Sequence, residues 1–456
     1  MKARTPIVAI VGRANVGKSS MFNAILEKRE AIVAREAGTT RDSLMAKAKY
    51  NDQEFWLVDT AGVKNPEDDF EFTIQEQIYQ AAESADVIWL MVEANVSVND
   101  DDRKLANLAL KSKKPVFLVI NKIDQVKKLS EADQHTKFGI KDYIFTSVNQ
   151  KKGIDELLNK LSQIIPTIKY VEEDPNTIRV ALIGRPNVGK SYLFNTLAKK
   201  QQAIVSDRAG TTRDINRTTV KYHQSDIQIM DTAGIRRAGK VEKGIEHFSV
   251  IRSISAIEQS DICLLVMDVN ELNVQLDQKL AGIIKEAGKG LVLVVSKWDK
   301  AEEKDPFLRD TLAAQIARNF EFVPWAPLIF TSSVTGQNVT KIFEIALEIM
   351  EKRAKKLPTR DLNKWLEKMI HKHVPSGLKN RYPKLNYITQ EMDNPIPAFK
   401  VFGSNTKFLH WSYRRYLEKG LREEFGYEGT PVQLWFIEKH VGHKHGNSPT
   451  KAPRKN

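Results

Sequence analysis

The sequence predicts an α/β protein: two copies of one doubly wound, mostly parallel domain, with a small α+β domain behind them. Three observations predict it. A block of the chain recurs. The stretch GRANVGKS at 12–19 returns as GRPNVGKS at 184–191, AGTTRD at 37–42 returns unchanged at 209–214, and DTAG at 59–62 returns at 231–234, each 172 residues further on. Within each copy, continuous apolar runs alternate with polar helical stretches, the pattern of strands covered on both faces by crossover helices. Finally, the +13 net charge is concentrated: residues 351–456 hold 22 Lys/Arg against 10 Asp/Glu, whereas residues 1–350 hold 48 against 47.

The first domain spans 1–166. It opens on a buried strand at 7–11, then a glycine loop, then a helix with Met21, Phe22, Ile25 and Leu26 on one face; apolar runs follow at 55–58, 87–92 and 116–120. An acidic linker at 167–176 leads to the second domain at 177–354, whose runs lie at 180–183, 227–230, 262–267 and 291–295. Later landmarks drift apart, Asp124 to Asp299 by 175 residues and Ser147 to Ser332 by 185, so the second copy carries insertions. The basic domain at 355–441 reads helix (361–371), strand (385–392), strand (398–402), helix (412–425), strand (432–438), and a basic tail follows at 442–456.

Composition narrows the setting. At 456 residues and 41% hydrophobic the chain can bury full-sized cores. Its one cysteine, Cys263, excludes a disulfide framework and a cysteine metal site. No apolar run approaches membrane-span length and the N-terminal stretch is too short for a signal peptide, so a soluble cytoplasmic protein is expected. A basic domain attracts a polyanion, and RNA is the expected partner, with no DNA or membrane partner and a monomeric state. His440, His443 and His445 precede the tail; a metal site there would need a fourth ligand, and a solvated tail is the expectation.

The chemistry lies in the repeats. GxxxxGK[ST] directly after a buried strand and opening a helix is a phosphate-binding P-loop. One copy occurs by chance in unrelated chains; two in the same strand–loop–helix context do not. Backbone N–H groups of Gly12, Asn15, Val16, Gly17, Ser19 and Ser20, and of Gly184, Asn187, Val188, Gly189, Ser191 and Tyr192, would turn around the phosphates at a helix N-terminus. Lys18 and Lys190 would reach the β- and γ-phosphates, and the Ser19 and Ser191 hydroxyls would ligate Mg²⁺. Asp59 and Asp231 end the following strands, where a carboxylate approaches the magnesium. Gly62 and Gly234 can then offer N–H groups to the γ-phosphate, and Thr40 and Thr212 can ligate Mg²⁺ when GTP is bound, although the neighbouring Thr39 and Thr211 compete for that role. Lys18, Thr40, Gly62, Lys190, Thr212 and Gly234 are therefore the expected catalytic set.

Base selection follows from 121–124, NKID, after the apolar run 116–120. A carboxylate at Asp124 accepts from guanine N1–H and the exocyclic amine, groups adenine does not present there, so adenine is rejected. Lys122 and Asn121 complete that loop. The second copy reads Ser296-Lys297-Trp298-Asp299: Asp299 retains the guanine preference, while serine in place of the amide should loosen the site. Ser147 and Ser332 stand in the loop that backs the base. Together these motifs define Ras-like P-loop GTPase domains that bind GTP and GDP with Mg²⁺.

The order of motifs, doubled and followed by a basic domain, resembles the Der/EngA family of bacterial tandem GTPases over residues 5–440. The resemblance implies an assembly factor for the large ribosomal subunit that acts on its RNA, and a KH-like C-terminal domain, supported by the stretch at 412–431 but without the GXXG loop of RNA-clamping KH domains. Backbone contact through Lys and Arg, or docking on a GTPase domain, is then expected. Tyr413 and Tyr416 could stack on bases, but at helical spacing a core role is more usual. The positions after DTAG, Val63 and Ile235, cannot orient water as the glutamine of Ras-like proteins does. Relatives with that substitution use potassium at the P-loop asparagine, which maps onto Asn15 and Asn187, so K⁺-stimulated hydrolysis is implied. A tRNA-modification GTPase would carry one such domain inside a helical domain, and a metabolic phosphotransferase would need an acceptor domain; the chain has neither signature.

Overall fold

The computed structural model describes residues 5–27, 45–59, 81, 84–126, 133–167, 176–200, 216–231, 250–272, 274–301, 307–377 and 381–438. The chain divides into two compact units, Met1–Glu348 and Ile349–Asn456.

In the larger unit each repeat builds a six-stranded sheet. The first holds β1 (Ile7–Val11), β2 (Met45–Tyr50), β3 (Gln53–Asp59), β4 (Val87–Glu93), β5 (Val116–Asn121) and β6 (Asp142–Phe145), in the order β2-β3-β1-β4-β5-β6. Only the β2–β3 pair is antiparallel. The strands read as unbroken apolar runs because both faces are covered. Ile7, Ala9 and Val11 point into one core, and Val8 and Ile10 point into the other, with Met21, Phe22 and Ile25 of α1 (Lys18–Glu27). Helix α2 (Asp100–Lys111) starts where the Asn99 side chain accepts from the Asp102 N–H at 2.8 Å, and three aspartates fill its first turn, opposite the positive end of the dipole. Helix α3 is Ile154–Ile164.

The second sheet repeats the plan with β7 (Thr177–Ile183), β8 (Asn216–Tyr222), β9 (Ser225–Asp231), β10 (Ile262–Asp268), β11 (Gly290–Ser296) and β12 (Leu328–Phe330), order β8-β9-β7-β10-β11-β12. Its helices are α4 (Lys190–Lys200), α5 (Val250–Gln259), α6 (Gln275–Glu286), α7 (Leu308–Asn319) and α8 (Lys341–Ala354). The drift between the copies has a structural source. Where the first domain has a short 3₁₀ turn, Asp133–Phe138, the second has the 12-residue helix α7. Both insertions leave the first five strands in register.

The two domains share an apolar cluster. Ile251, Ile254 and Ile257 of α5 belong to the same buried group as Ile7, Ala9 and Trp56. At its edge the half of Glu258 that matters, its carboxylate, accepts from Trp56 Nε1 at 2.5 Å and from the Thr5 N–H at 3.3 Å.

In the smaller unit, α9 (Thr359–Lys372) and α10 (Trp411–Phe425) accompany a three-stranded sheet: β13 (Lys384–Glu391) antiparallel to β14 (Ala398–Ser404), and β14 parallel to β15 (Gln433–Glu438). Trp365, Leu366 and Met369 meet Ile388, Phe399, Leu417 and Leu421 in one core. The two helices approach closely at Gly420, where a Cβ would stand 2.3 Å from the Met369 Cε. Tyr413 and Tyr416 tie them together, donating to the carbonyls of His373 (2.7 Å) and Met369 (3.1 Å). Their spacing thus reflects packing rather than an exposed stacking face.

Candidate functional site

In each domain the functional residues gather at the C-terminal edge of the sheet, beside the central strand from which the chain winds first one way and then the other. The P-loop follows β1 or β7 and turns by backbone conformations that few side chains permit. Gly12 and Gly184 both have φ near +149°, and a Cβ at either would lie 2.4 Å from a carbonyl of the neighbouring strand, Met91 or Val266. Asn15 (φ 66°) and Asn187 (φ 62°) occupy the left-handed region, where asparagine is better tolerated than most residues.

Lys18 is 3% exposed and donates to the carbonyls of Gly12 (2.7 Å) and Arg13 (2.5 Å); Lys190 does the same with Gly184 (2.9 Å) and Arg185 (2.5 Å). Burial pushes the Lys18 ammonium down to about 8, against the pull of the Asp59 carboxylate. Ser19 Oγ donates to Asp59 Oδ2 at 2.5 Å, so a hydroxyl and a carboxylate converge at the start of α1. Ser191 opens α4 and Asp231, 1% exposed, ends β9 at the corresponding positions.

The base loop is built at the ends of β5 and β11. Lys122 (φ 64°) and Lys297 (φ 59°) take left-handed conformations that turn the chain into a 3₁₀ turn carrying Asp124 or Asp299. Ser147 Oγ donates to Asp124 Oδ1, and Ser332 Oγ to Asp299 Oδ1, each at 2.5 Å, which orients both carboxylates alike. Asn121 Nδ2 donates to the Val16 carbonyl at 2.9 Å; Ser296 Oγ reaches the equivalent Val188 carbonyl at 2.5 Å. Thr39, Thr40, Gly62, Val63, Thr211, Thr212, Gly234 and Ile235 lie outside the described residues, as do the linker core at 168–175 and His440, His443 and His445.

Three side-chain sets around the site were not anticipated. Lys122 pairs with Glu93 (2.8 Å) and Lys297 with Asp268 (2.6 Å), so the loop lysine is anchored to the end of β4 or β10. Burial opposes ionisation of Asp268, but the hydrogen bond from Lys297 leaves its carboxyl below the usual range. Arg13 Nε donates to Asp102 Oδ1 at 2.8 Å, and Arg185 engages both Asp277 and Glu271. Thr146 Oγ1 donates to Asn121 Oδ1 at 3.1 Å. A signal did exist for the first two: Glu93 to Asp268 and Asp102 to Asp277 are each separated by 175 residues, the offset of Asp124 and Asp299.

Two P-loop domains in tandem, each ending in a carboxylate-bearing base loop, define a tandem P-loop GTPase. A family model described as a 50S ribosome-binding GTPase matches residues 7–122 and again 179–297, and one described as the KH-domain-like C-terminal part of EngA bacterial GTPase enzymes matches 356–436. The chain is 39% identical over 439 residues to the GTPase Der of Chloroflexus aggregans, covering 94% of this chain and 97% of that protein. It is 40% identical over 435 residues to the GTPase Der of Alkaliphilus metalliredigens, covering 95% and 98%. The chain belongs to the GTPase Der family and hydrolyses GTP. Among the described residues no helix is long and apolar enough to cross a membrane.

Proposed function

We propose that the chain is a nucleotide-dependent switch in assembly of the large ribosomal subunit, acting as a cytoplasmic monomer on ribosomal RNA. The observation that carries this reading is the pairing of two complete nucleotide sites with a C-terminal segment holding 22 Lys/Arg against 10 Asp/Glu. The ribosome-binding description of the matching family supports the choice of ribosomal RNA over other polyanions.

In this reading Lys18 and Lys190 exchange their loop carbonyls for β- and γ-phosphate oxygens and neutralise charge as the bond to the γ-phosphorus breaks and water adds to it. The Ser19–Asp59 pair offers the hard oxygen donors that suit Mg²⁺, and Ser191 with Asp231 occupies the matching place; Thr40 and Thr212 would join them when GTP is bound. A magnesium ion held there would supply charge neutralisation to the phosphates. Gly62 and Gly234 report the γ-phosphate. Asp124 and Asp299 accept from the guanine edge, with Lys122, Lys297, Ser147 and Ser332 shaping the loop. Asn15 and Asn187 are exposed at the loop crest, where an amide oxygen can meet a monovalent cation, and hydrophobic Val63 and Ile235 leave the water-orienting role to that cation.

The test is co-sedimentation of the protein with large ribosomal subunits in the presence of a non-hydrolysable GTP analogue or GDP. Binding with the analogue that fades with GDP is expected. Equal binding in both states would overturn the switch, and absence of binding in both would leave an RNA-directed GTPase without a ribosomal role. Turnover should fall when KCl is replaced by NaCl; unchanged turnover would remove the potassium assignment.

A further inference from the structure

The two base loops differ at one buried position. Asn121 and Ser296 end β5 and β11 in the same register, opposite Glu93 and Asp268, and are 2% and 3% exposed. Asn121 works in two directions. Its amide N–H donates to the P-loop at the Val16 carbonyl (2.9 Å), and its amide oxygen accepts from Thr146 Oγ1 (3.1 Å) and the Val148 N–H (3.4 Å), in the loop that backs the base. One side chain therefore joins the phosphate-binding loop to the base-binding loop.

Ser296 makes only half of that connection. Its hydroxyl donates to Val188 O at 2.5 Å and lies 2.9 Å from Met267 O, both backbone carbonyls on the P-loop and β10 sides. Thr331, at the place of Thr146, turns its hydroxyl to the Val295 carbonyl instead (3.3 Å). Lys297 adds another tie to the P-loop, donating to Asn187 O at 2.7 Å, so the P-loop side is still held. The space of the missing amide is visible at the glycine beneath it. A Cβ on Gly17 would stand 2.4 Å from Asn121 Nδ2, whereas one on Gly189 would be 3.5 Å from Ser296 Oγ.

We infer that Ser296 is a positioning residue that makes the second site exchange its nucleotide faster than the first, because the 331–333 loop is no longer tied to the P-loop. The inference rests on the reading of 121–124 and 296–299 as guanine loops. Release requires the base-backing loop to move away from the P-loop, and the first site must break the Asn121 bridge to do so. A side-chain hydrogen bond of this kind is worth about a five- to tenfold change in an equilibrium or rate constant.

The experiment reads one site at a time in the full-length protein. Asp124→Asn turns the first site toward xanthine nucleotides, since an amide can donate to the C2 carbonyl that xanthine has in place of the guanine amine. Fluorescent GDP then reports the second site alone, and Asp299→Asn isolates the first in the same way. In the Asp124→Asn background, Ser296→Asn should slow GDP release about five- to tenfold. In the Asp299→Asn background, Asn121→Ser should speed release by a similar factor, and this second variant keeps the test decisive if Ser296→Asn folds poorly. Single-turnover hydrolysis at saturating GTP should change less than about twofold in both, a split that a general packing defect would not give. Release rates that stay within twofold in both variants overturn the inference while leaving the guanine loops intact. If Asp299→Asn or Asp124→Asn fails to shift its site from guanine to xanthine nucleotides, the loop assignment falls, and the inference with it.

Discussion

The first and second GTPase domains are the same construction with different internal ties. Strand order, the φ angles of the P-loop, the lysine contacts and the serine–aspartate pair of the base loop all agree. The differences lie behind the loops that meet the nucleotide. Arg13 has one acidic partner, Asp102, which is 1% exposed and shares its surroundings with the buried His135; Arg185 has two, the buried Asp277 and the exposed Glu271. Duplicated sites thus keep the atoms that face the ligand and diverge where those atoms are supported. Support controls how easily a loop moves, so the two sites are expected to share chemistry and differ in kinetics.

The largest expected effect is one that should not distinguish the domains. Gly12→Ala and Gly184→Ala each drive a Cβ into a strand carbonyl, which the loop can relieve only by leaving its phosphate-binding shape. Each should weaken nucleotide binding at its own site by about a hundredfold or more, equivalent to roughly 3 kcal/mol of strain. Calorimetric stoichiometry should fall from two to one in either variant; retention of two sites would break the equivalence of the P-loops.

Next come the supporting arginines, where the domains should part. Removing Arg13 or Arg185 strands a buried carboxylate, and each truncation should cost about 3 kcal/mol at pH 7.5 in urea unfolding. Burial, opposed by Arg185, already holds the Asp277 carboxyl up at about 6, above its unfolded value. A raised carboxyl makes its unfavourable contribution above the folded value, and that contribution disappears as pH falls through it toward the unfolded value. The cost of Arg185→Ala should therefore be smaller at pH 5.5 than at pH 7.5, and an unchanged or larger cost at pH 5.5 would contradict this account.

A subtler readout is protonic. With Lys18 near 8 in the nucleotide-free protein, part of its population is neutral at pH 8.5, and phosphate charge would restore the ammonium. GDP binding at the first site should take up a proton at pH 8.5 and very little at pH 7, measurable as a dependence of binding enthalpy on buffer ionisation. The folded state binds fewer protons than the unfolded one between the lowered value and 10.5, so Lys18 contributes stability that rises with pH across that window. The smallest effect is expected for Ser147→Ala and Ser332→Ala. Each removes the hydroxyl that orients an aspartate and should weaken GDP binding about fivefold, equally at the two sites. Unequal losses would mean that the asymmetry extends beyond Ser296.

Much of this was written in the linear chain. The repeated motifs place strand, P-loop and base loop in order because each needs a particular residue type at a set distance: glycine where a Cβ would strike a carbonyl, lysine at the helix start, aspartate after the strand. Buried parallel strands are legible as uninterrupted apolar runs, since no face is left for polar alternation. Even the acids that anchor Lys122, Lys297, Arg13 and Arg185 share the 175-residue offset.

Only the tertiary structure decided which of these residues touch. Asn121 meets Val16 and Thr146 across 105 and 25 residues of sequence, and Glu258 meets Trp56 across 202. No local pattern encodes such pairs, because their geometry follows from where whole strands and helices come to rest. The sequence by itself determined the fold, the doubled nucleotide chemistry and the serine at 296. What that serine ceases to hold was decided in three dimensions, where hydrogen bonding depends on ångström distances between loops that the chain keeps far apart.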